Sequence, residues 1–404
     1  MAEPQHFDIA IVGSGIAGSA LATALSGQGF SVALIEAQAP RLKPLPNVID
    51  VAQFDPRVSA LTPKSQKFLQ DVGAWEGIVQ QRMCPYTHMT VWDAEGTGSI
   101  EFDCSEVKAP ALGHIVENRI VTAALLSKVR DTRDIELMSP VSVTACKLNE
   151  SGGAQLSLDG KGILETDLVV AADGARSQVR QMLDFKTREW DYGHDAIVAT
   201  VELERSHQAT AWQRFLPSGP LAFLPLAGEP DKHLCSIVWS LREPLSKELL
   251  SLDETTFCRR LEHAFEHRLG RVLACSPRFA FPLRQRHAVD YVRPGVALVA
   301  DAAHTIHPLA GQGINLGLQD VQVLAEEIVA GRARGAKPGQ LQLLKRYQRR
   351  RKSENLLMMA AMDGFKSLFG HSALPIRLLR NEGMRTVAAL GPIKRQLMHR
   401  AMGI

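Results

Sequence analysis

The stretch Ile9-Ala10-Ile11-Val12-Gly13-Ser14-Gly15-Ile16-Ala17-Gly18, continued by Ser31-Val32-Ala33-Leu34-Ile35-Glu36, decides the fold. Residues 9–12 read as a buried strand, Ser19 to Ser26 as a helix of small residues, and 31–35 as a second strand ending on an acid. A bare GxGxxG is a weak signal. Here strand, glycines, helix and a following acid occur together, which is the context a dinucleotide site requires. Gly13 permits the tight turn, Gly15 lets a pyrophosphate approach the backbone, and Gly18 lets the helix pack on the sheet. The helix start offers free N–H groups and the positive end of its dipole. Glu36 is placed to accept from ribose hydroxyls and would repel a 2′-phosphate, so the site suits FAD or NAD rather than NADP.

Working outward, 404 residues suggest two or three domains, and 45% apolar content is enough for a sizeable core. Cys84, Cys104, Cys146, Cys235, Cys258 and Cys275 are scattered without a CxxC pair. That argues against a zinc site or disulfide framework and fits a reducing compartment. There is no signal peptide and no spanning helix, so a cytoplasmic location is expected. The formal net charge of +3 hides an asymmetry: residues 331–404 hold 16 Lys/Arg against 3 Asp/Glu. Such an end suits an anionic lipid surface or an acidic partner, or it balances an acidic body. No aromatic-interleaved basic platform accompanies it, which argues against nucleic acid.

After a Pro-rich loop at 40–56 comes Asp55-Pro56-Arg57-Val58-Ser59-Ala60-Leu61. Thr62-Pro63 then reads as N-cap and first position of a helix through Leu69 to Gly73. Residues 86–103 read as a hairpin turning at Ala94 to Gly98, and Glu117-Asn118-Arg119 opens a helix ending near Arg130. Strands at 135–148 and 154–159 are expected to form an antiparallel insert. Leu168 to Ala172 reads as a parallel strand covered on both faces, leading to Asp173-Gly174 and a helix with Arg176 and Arg180 near its start. Residues 188–285 look mostly antiparallel, with one helix at about Thr255 to Leu269. Val296 to Asp301 repeats the strand-then-acid pattern. Gly311, Gln312, Gly313, Ile314 and Asn315 open a helix to about Ala330, and helices of 341–362 and 372–401 close the chain.

Gly13, Gly15 and Gly18 with Glu36, then Asp173-Gly174, then Asp301 ahead of Gly311 and Gly313, form a set that resembles the single-component aromatic flavin hydroxylases of the para-hydroxybenzoate hydroxylase type. Residues 55–61, His114-Ile115-Val116-Glu117-Asn118 and 301–313 look most like the ubiquinone-biosynthesis hydroxylases. Residues 190–192, 222–226 and 235–241 look most like the 2-polyprenylphenol hydroxylases, which act at ring position 5. The resemblance implies an α/β fold: an FAD-binding Rossmann-like domain (1–75, 111–187 and 286–340), an inserted, mostly antiparallel β-sheet substrate domain (76–110 and 188–285), and C-terminal helices (341–404). It implies that Gly13, Gly15, Gly18 and Glu36 hold the ADP half of FAD and that Asp301 binds the ribityl chain. Gly311 to Asn315 would face the isoalloxazine, Arg57 and Arg119 would lie against the cofactor, and Asp173-Gly174 would serve the pyrophosphate region. The family usually carries glycine where this chain has Ala300, which bears on the contacts of Asp301.

The implied reaction is a monooxygenation. NAD(P)H reduces FAD, O₂ is captured as a C4a-hydroperoxyflavin, and oxygen passes to a polyprenylphenol made nucleophilic by loss of its proton. Tyr192, His194, His304 and His307 are the groups that could take that proton, and none is singled out. The implied partners are the lipid-like phenol, other ubiquinone-biosynthesis proteins, and the inner-membrane surface, approached through the basic C-terminal region. The competing readings are a hydroxylase of a small soluble phenol, a prenyl-chain reductase, and a non-catalytic subunit that holds FAD.

Overall fold

The computed structural model describes residues 5–40, 50–149, 152–229, 231–305, 313–370 and 373–404. Its centre is a parallel sheet in which Val296–Leu298, Gly162–Ala171, Gln5–Val12, Val32–Ile35 and Ile135–Met138 lie side by side in that order. Leu168 to Ala171 are fully buried, as are Ile9 to Ile11. Apolar side chains on both faces are what a parallel sheet covered by helices demands, and each large one contributes about 1.5–3 kcal/mol. The helix Ile16–Leu25 covers one face together with Gly313–Arg332 and Asn118–Arg130.

The helix after the glycine loop lies unusually close to the strand before it. A Cβ on Gly18 would stand 1.8 Å from the Gly13 carbonyl oxygen, and one on Gly13 would stand 2.5 Å from that of Ala172. Gly13 also has φ +103°, a conformation that side chains disfavour.

The second sheet is mostly antiparallel. It runs Phe279–Ala288, Thr187–Leu203, His233–Arg242, Gly219–Pro225, Thr210–Leu216, and then the hairpin of His88–Asp93 and Ser99–Asp103, which joins it by a parallel pairing. The hairpin expected at 86–103 is therefore a part of the sheet formed by 188–285. Thr62 caps Pro63–Asp71, accepting from the Ser65 N–H, with proline in the first turn. The helix Asn118–Arg130 spans the expected residues.

Four expectations need correction. Ile135–Met138 pairs parallel with Val32–Ile35, so it is the edge of the central sheet and no part of an antiparallel insert. Only Val143–Leu148 and Ala154–Leu158 form that meander, laid on the first half of Gly162–Ala171. The helix expected near 255–269 is preceded by one that was not expected, so the region holds two, Glu243–Ser251 and Glu254–Ala264. Asp253 caps the second, and Glu266 and His267 take left-handed φ values that stop it before Leu269. The third correction is at the closing helix, which breaks at Leu390 into Leu374–Ala389 and Gly391–Met402, where Pro392 can begin a helix but not continue one. The fourth is the helix at 341–362, which extends over Leu341–Gly370.

Gly18→Ala and Gly15→Ala should behave oppositely on denaturant unfolding of the apoprotein. The first should cost about 3 kcal/mol through overpacking. The second has nothing within 4 Å of its new methyl and should cost less than about 0.5 kcal/mol.

Candidate functional site

The strands Gln5–Val12, Gly162–Ala171 and Val296–Leu298 run parallel, so their C-terminal ends open at one edge of the sheet. In such sheets that edge is where ligands sit. The glycine loop leaves the first strand, Asp173-Gly174 the second, and Asp301 the third. Gly13 and the Ala172-Asp173 backbone are in direct contact, so two of the motifs form one surface. Gly15 is the N-cap of Ile16–Leu25, and no side chain caps that helix. Open space surrounds the Cβ positions of Gly15, Gly174 and Gly313. Glu36 stands at the end of Val32–Ile35, and its carboxylate accepts from the Ser14 N–H at 2.8 Å and the Gln38 N–H at 3.1 Å. Asp173 accepts from the N–H groups of Gln178 (2.7 Å) and Val179 (3.2 Å). Its other oxygen is buried with no partner among the described residues.

A second wall comes from the three-stranded sheet of Val58–Leu61, Gly113–Glu117 and Cys84–Tyr86. Arg57 precedes it, exposed, with its guanidinium 4.9 Å from the Phe281 ring centroid. Arg119 begins the next helix. It pairs with Glu117 at 2.7 Å and donates to the Gln53 carbonyl, and its Nε is buried without a partner among the described residues. Glu117 is itself buried, held also by Arg82 at 2.5 Å and by the Asp55 N–H. The Asn315 side chain is wholly engaged. It accepts from the Thr62 N–H (3.0 Å) and the Ser65 hydroxyl (2.7 Å), and donates to the Ala60 carbonyl (2.8 Å). It therefore ties the long helix Gly313–Arg332 to this wall. Gly311, Gln312 and His307 lie outside the described residues.

Residues 6–360 match the FAD binding domain family. The chain belongs to that family. It is 38% identical over 400 residues, 99% of each chain, to the 3-demethoxyubiquinol 3-hydroxylase of Escherichia coli. It is also 38% identical to the ubiquinone hydroxylase of Rhodospirillum rubrum, covering 98% of this chain and 89% of that one. With the human mitochondrial ubiquinone biosynthesis monooxygenase it shares 33%, over 97% and 92%. Among solved structures, a probable FAD-dependent monooxygenase from Pseudomonas aeruginosa (PqsL) superposes with TM-score 0.78 at 21% identity, over 95% of this chain and all of that one. The p-nitrophenol 4-monooxygenase of Pseudomonas putida also gives 0.78, at 19% and over 98% of each. These two likenesses show the fold.

This FAD-dependent monooxygenase has a site that fits its cofactor. The open cradle at Gly15 and the uncapped helix start beside it are what a diphosphate ligand at a strand edge calls for, while the unpartnered Asp173 oxygen suits a donor such as a ligand hydroxyl. Asp301 is exposed toward open space yet set deep among protein atoms. Burial raises its carboxyl above the ordinary value, against the opposing pull of His304 and Arg57. No group of His, Cys, Asp and Glu among the described residues could hold a metal ion.

The groups considered for proton transfer are placed differently from one another. His304 is buried with Nε2 2.5 Å from Asp320, turned into the protein. The Tyr192 hydroxyl stands 2.5 Å from Asp363 and also contacts the Gln285 side chain, and burial followed by Asp363 raises its pKa well above the usual phenol value. His194 lies 2.6 Å from the Tyr192 carbonyl.

Asp320, Arg351, Asn355 and Glu117 are the residues whose roles sequence reading missed. Asp320 is fully buried and surrounded by His304, Arg351 and Asn355. Burial alone would raise its pKa, but pairing with His304 and Arg351 outweighs this and lowers it. The signal was present: one acid among Leu316, Leu318, Val321 and Leu324 on a buried helix.

Ala300 adopts φ +51°, the left-handed region that glycine fills without cost. Its methyl lies against Gly317, where a Cβ would stand 2.8 Å away. Ala300→Gly should therefore stabilise the apoprotein by about 1 kcal/mol, read as a raised melting temperature.

Proposed function

We propose that this chain adds one hydroxyl to the aromatic ring of a polyprenylated phenol during ubiquinone assembly, using NAD(P)H and O₂. The observation that carries the reading is the end-to-end match, 38% over 99% of both chains, with a hydroxylase of a demethoxyubiquinol. Bound FAD supplies the redox chemistry: it accepts hydride and activates oxygen. Gly13, Gly15, Gly18 and Glu36 hold the ADP half, and Asp173-Gly174 borders the pyrophosphate. Asp301 holds the ribityl chain, the helix start at Gly313 to Asn315 serves the ring system, and Arg57 and Arg119 flank it. The convergence of three strand ends on one open edge supports this assignment. The second sheet (76–110 with 188–285) covers the substrate, while 1–75, 111–187 and 286–340 hold the cofactor.

Ring position 5 of a 2-polyprenylphenol is the acceptor that residues 190–192, 222–226 and 235–241 resemble. The name of the Escherichia coli relative makes 3-demethoxyubiquinol the second reading. Mass spectrometry of the quinone pool in a strain lacking the protein separates them. Accumulation of a prenylphenol without its position-5 oxygen supports the first, and accumulation of demethoxyubiquinol the second. A normal ubiquinone pool, with no second hydroxylase compensating, would overturn both.

The C-terminal helices expose Leu357, Leu378 and Leu379, each more than 60% accessible. No described helix is long and apolar enough to cross a membrane. Several of the basic side chains counted in the sequence are spent internally, as in Arg351–Asp320, Arg380–Asp93 and Lys394–Glu106. Docking on an anionic lipid surface then rests chiefly on the apolar residues, aided by the remaining charge. Leu378→Ser with Leu379→Ser should lower partitioning onto phosphatidylglycerol vesicles about tenfold while leaving FAD content unchanged. Equal partitioning of both proteins would refute the docking.

A further inference from the structure

We propose that Asp320 is a positioning residue for the flavin: its carboxylate grips the loop on both sides of Asp301 and anchors it to the helix Leu341–Gly370. One oxygen, Oδ2, accepts from the Ala300 N–H at 3.1 Å and stands 2.5 Å from His304 Nε2. The other, Oδ1, accepts from Arg351 Nε at 2.8 Å and Asn355 Nδ2 at 3.2 Å. The residue just before Asp301 and the one three after it are thus fixed to one buried group. Arg180 also holds the same loop, donating to the Ala302 carbonyl at 2.9 Å. Gly317, one turn before Asp320, gives the Ala300 methyl room to come this close. Arg351 and Asn355 belong to Leu341–Gly370, whose Tyr347 also donates to the Leu298 carbonyl at 2.8 Å. Leu341–Gly370 therefore braces a loop that it does not form. Asp320 touches neither substrate nor flavin in this scheme; it acts through the pose of Asp301. A carboxylate with four protein donors in a buried site has little freedom to move, so it transmits position well.

The inference rests on the reading that Asp301 contacts the flavin, and a double-mutant cycle keeps the two apart. FAD affinity of the full-length protein would be measured by fluorescence titration of deflavinated wild type, Asp301→Asn, Asp320→Asn and the double variant. The visible flavin spectrum and the apoprotein melting temperature would be recorded for each. Asp320→Asn should weaken FAD binding about tenfold and shift the spectrum in the Asp301 background, but weaken it less than twofold once Asp301 is replaced. An equal loss in both backgrounds, or a lowered melting temperature with affinity and spectrum unchanged, would overturn the positioning role. Unchanged affinity in Asp301→Asn would remove the flavin contact of Asp301, and the positioning role with it. Should Asp320→Asn not fold, Asn355→Leu keeps both charges and carries the same cycle, with about a threefold loss expected and no loss overturning the proposal.

Discussion

The carbonyl of Gly13 occupies the space in which a side chain at position 18 would begin, and much of the molecule follows from that closeness. It sets the distance between the first strand and the helix over it. It also brings the Ala172 carbonyl against the turn, so that Gln5–Val12 and Gly162–Ala171 end together. Parallel pairing then carries Val296–Leu298 to the same edge, bringing residues almost 300 positions apart to one crevice. The apolar runs on these strands supply the burial that holds the layers. The glycines decide where the layers stop and backbone becomes available to a ligand.

What could be read from the sequence is what local chemistry dictates. Thr62-Pro63 announces a helix start because a hydroxyl acceptor followed by proline has few other uses, and the hairpin around Ala94 to Gly98 is signalled by its turn residues. Ile135–Met138 is not legible locally because its neighbour is Val32–Ile35, a hundred residues away, and nothing in four residues says which strand they will join. The stop before Leu269 depends on left-handed Glu266 and His267, residue types that rarely take that conformation. Asp320 and Glu117 looked like ordinary acids. Only tertiary structure surrounds them with Arg351 and His304, or with Arg82 and Arg119.

The basic character of the last seventy residues changes meaning once the pairs are seen. Arg380 is buried against Asp93, and Asn381 bonds the same carboxylate, so Leu374–Ala389 is bound to the hairpin of the second sheet. Arg350 reaches Glu326 and Glu327, and Lys394 reaches Glu106. A buried ion pair is weak evidence for stability, because desolvation offsets much of its attraction. Its geometric demand is strict, however, and the Arg380–Asp93 pair fixes Leu374–Ala389 against the antiparallel sheet, while Arg350 ties Leu341–Gly370 to the helix Gly313–Arg332.

The brace between Arg351 and Asp320 has a consequence for the order of biosynthesis. The chain emerges from the ribosome N-terminus first, so Gly13 is free to fold more than 300 residues before Arg351 is made. The loop of Asp301 and the Asp320 that grips it likewise appear ahead of Arg351, which is made about 50 residues after Asp301. During translation the glycine turn can exist without its opposite wall, and a nascent chain offers a nucleotide only half of its seat. Under the proposed assignment of Asp301 to the flavin, tight loading of the cofactor would be an event of the longer polypeptide, and a chain truncated before Leu341–Gly370 would be released with the turn intact and the loop without its brace.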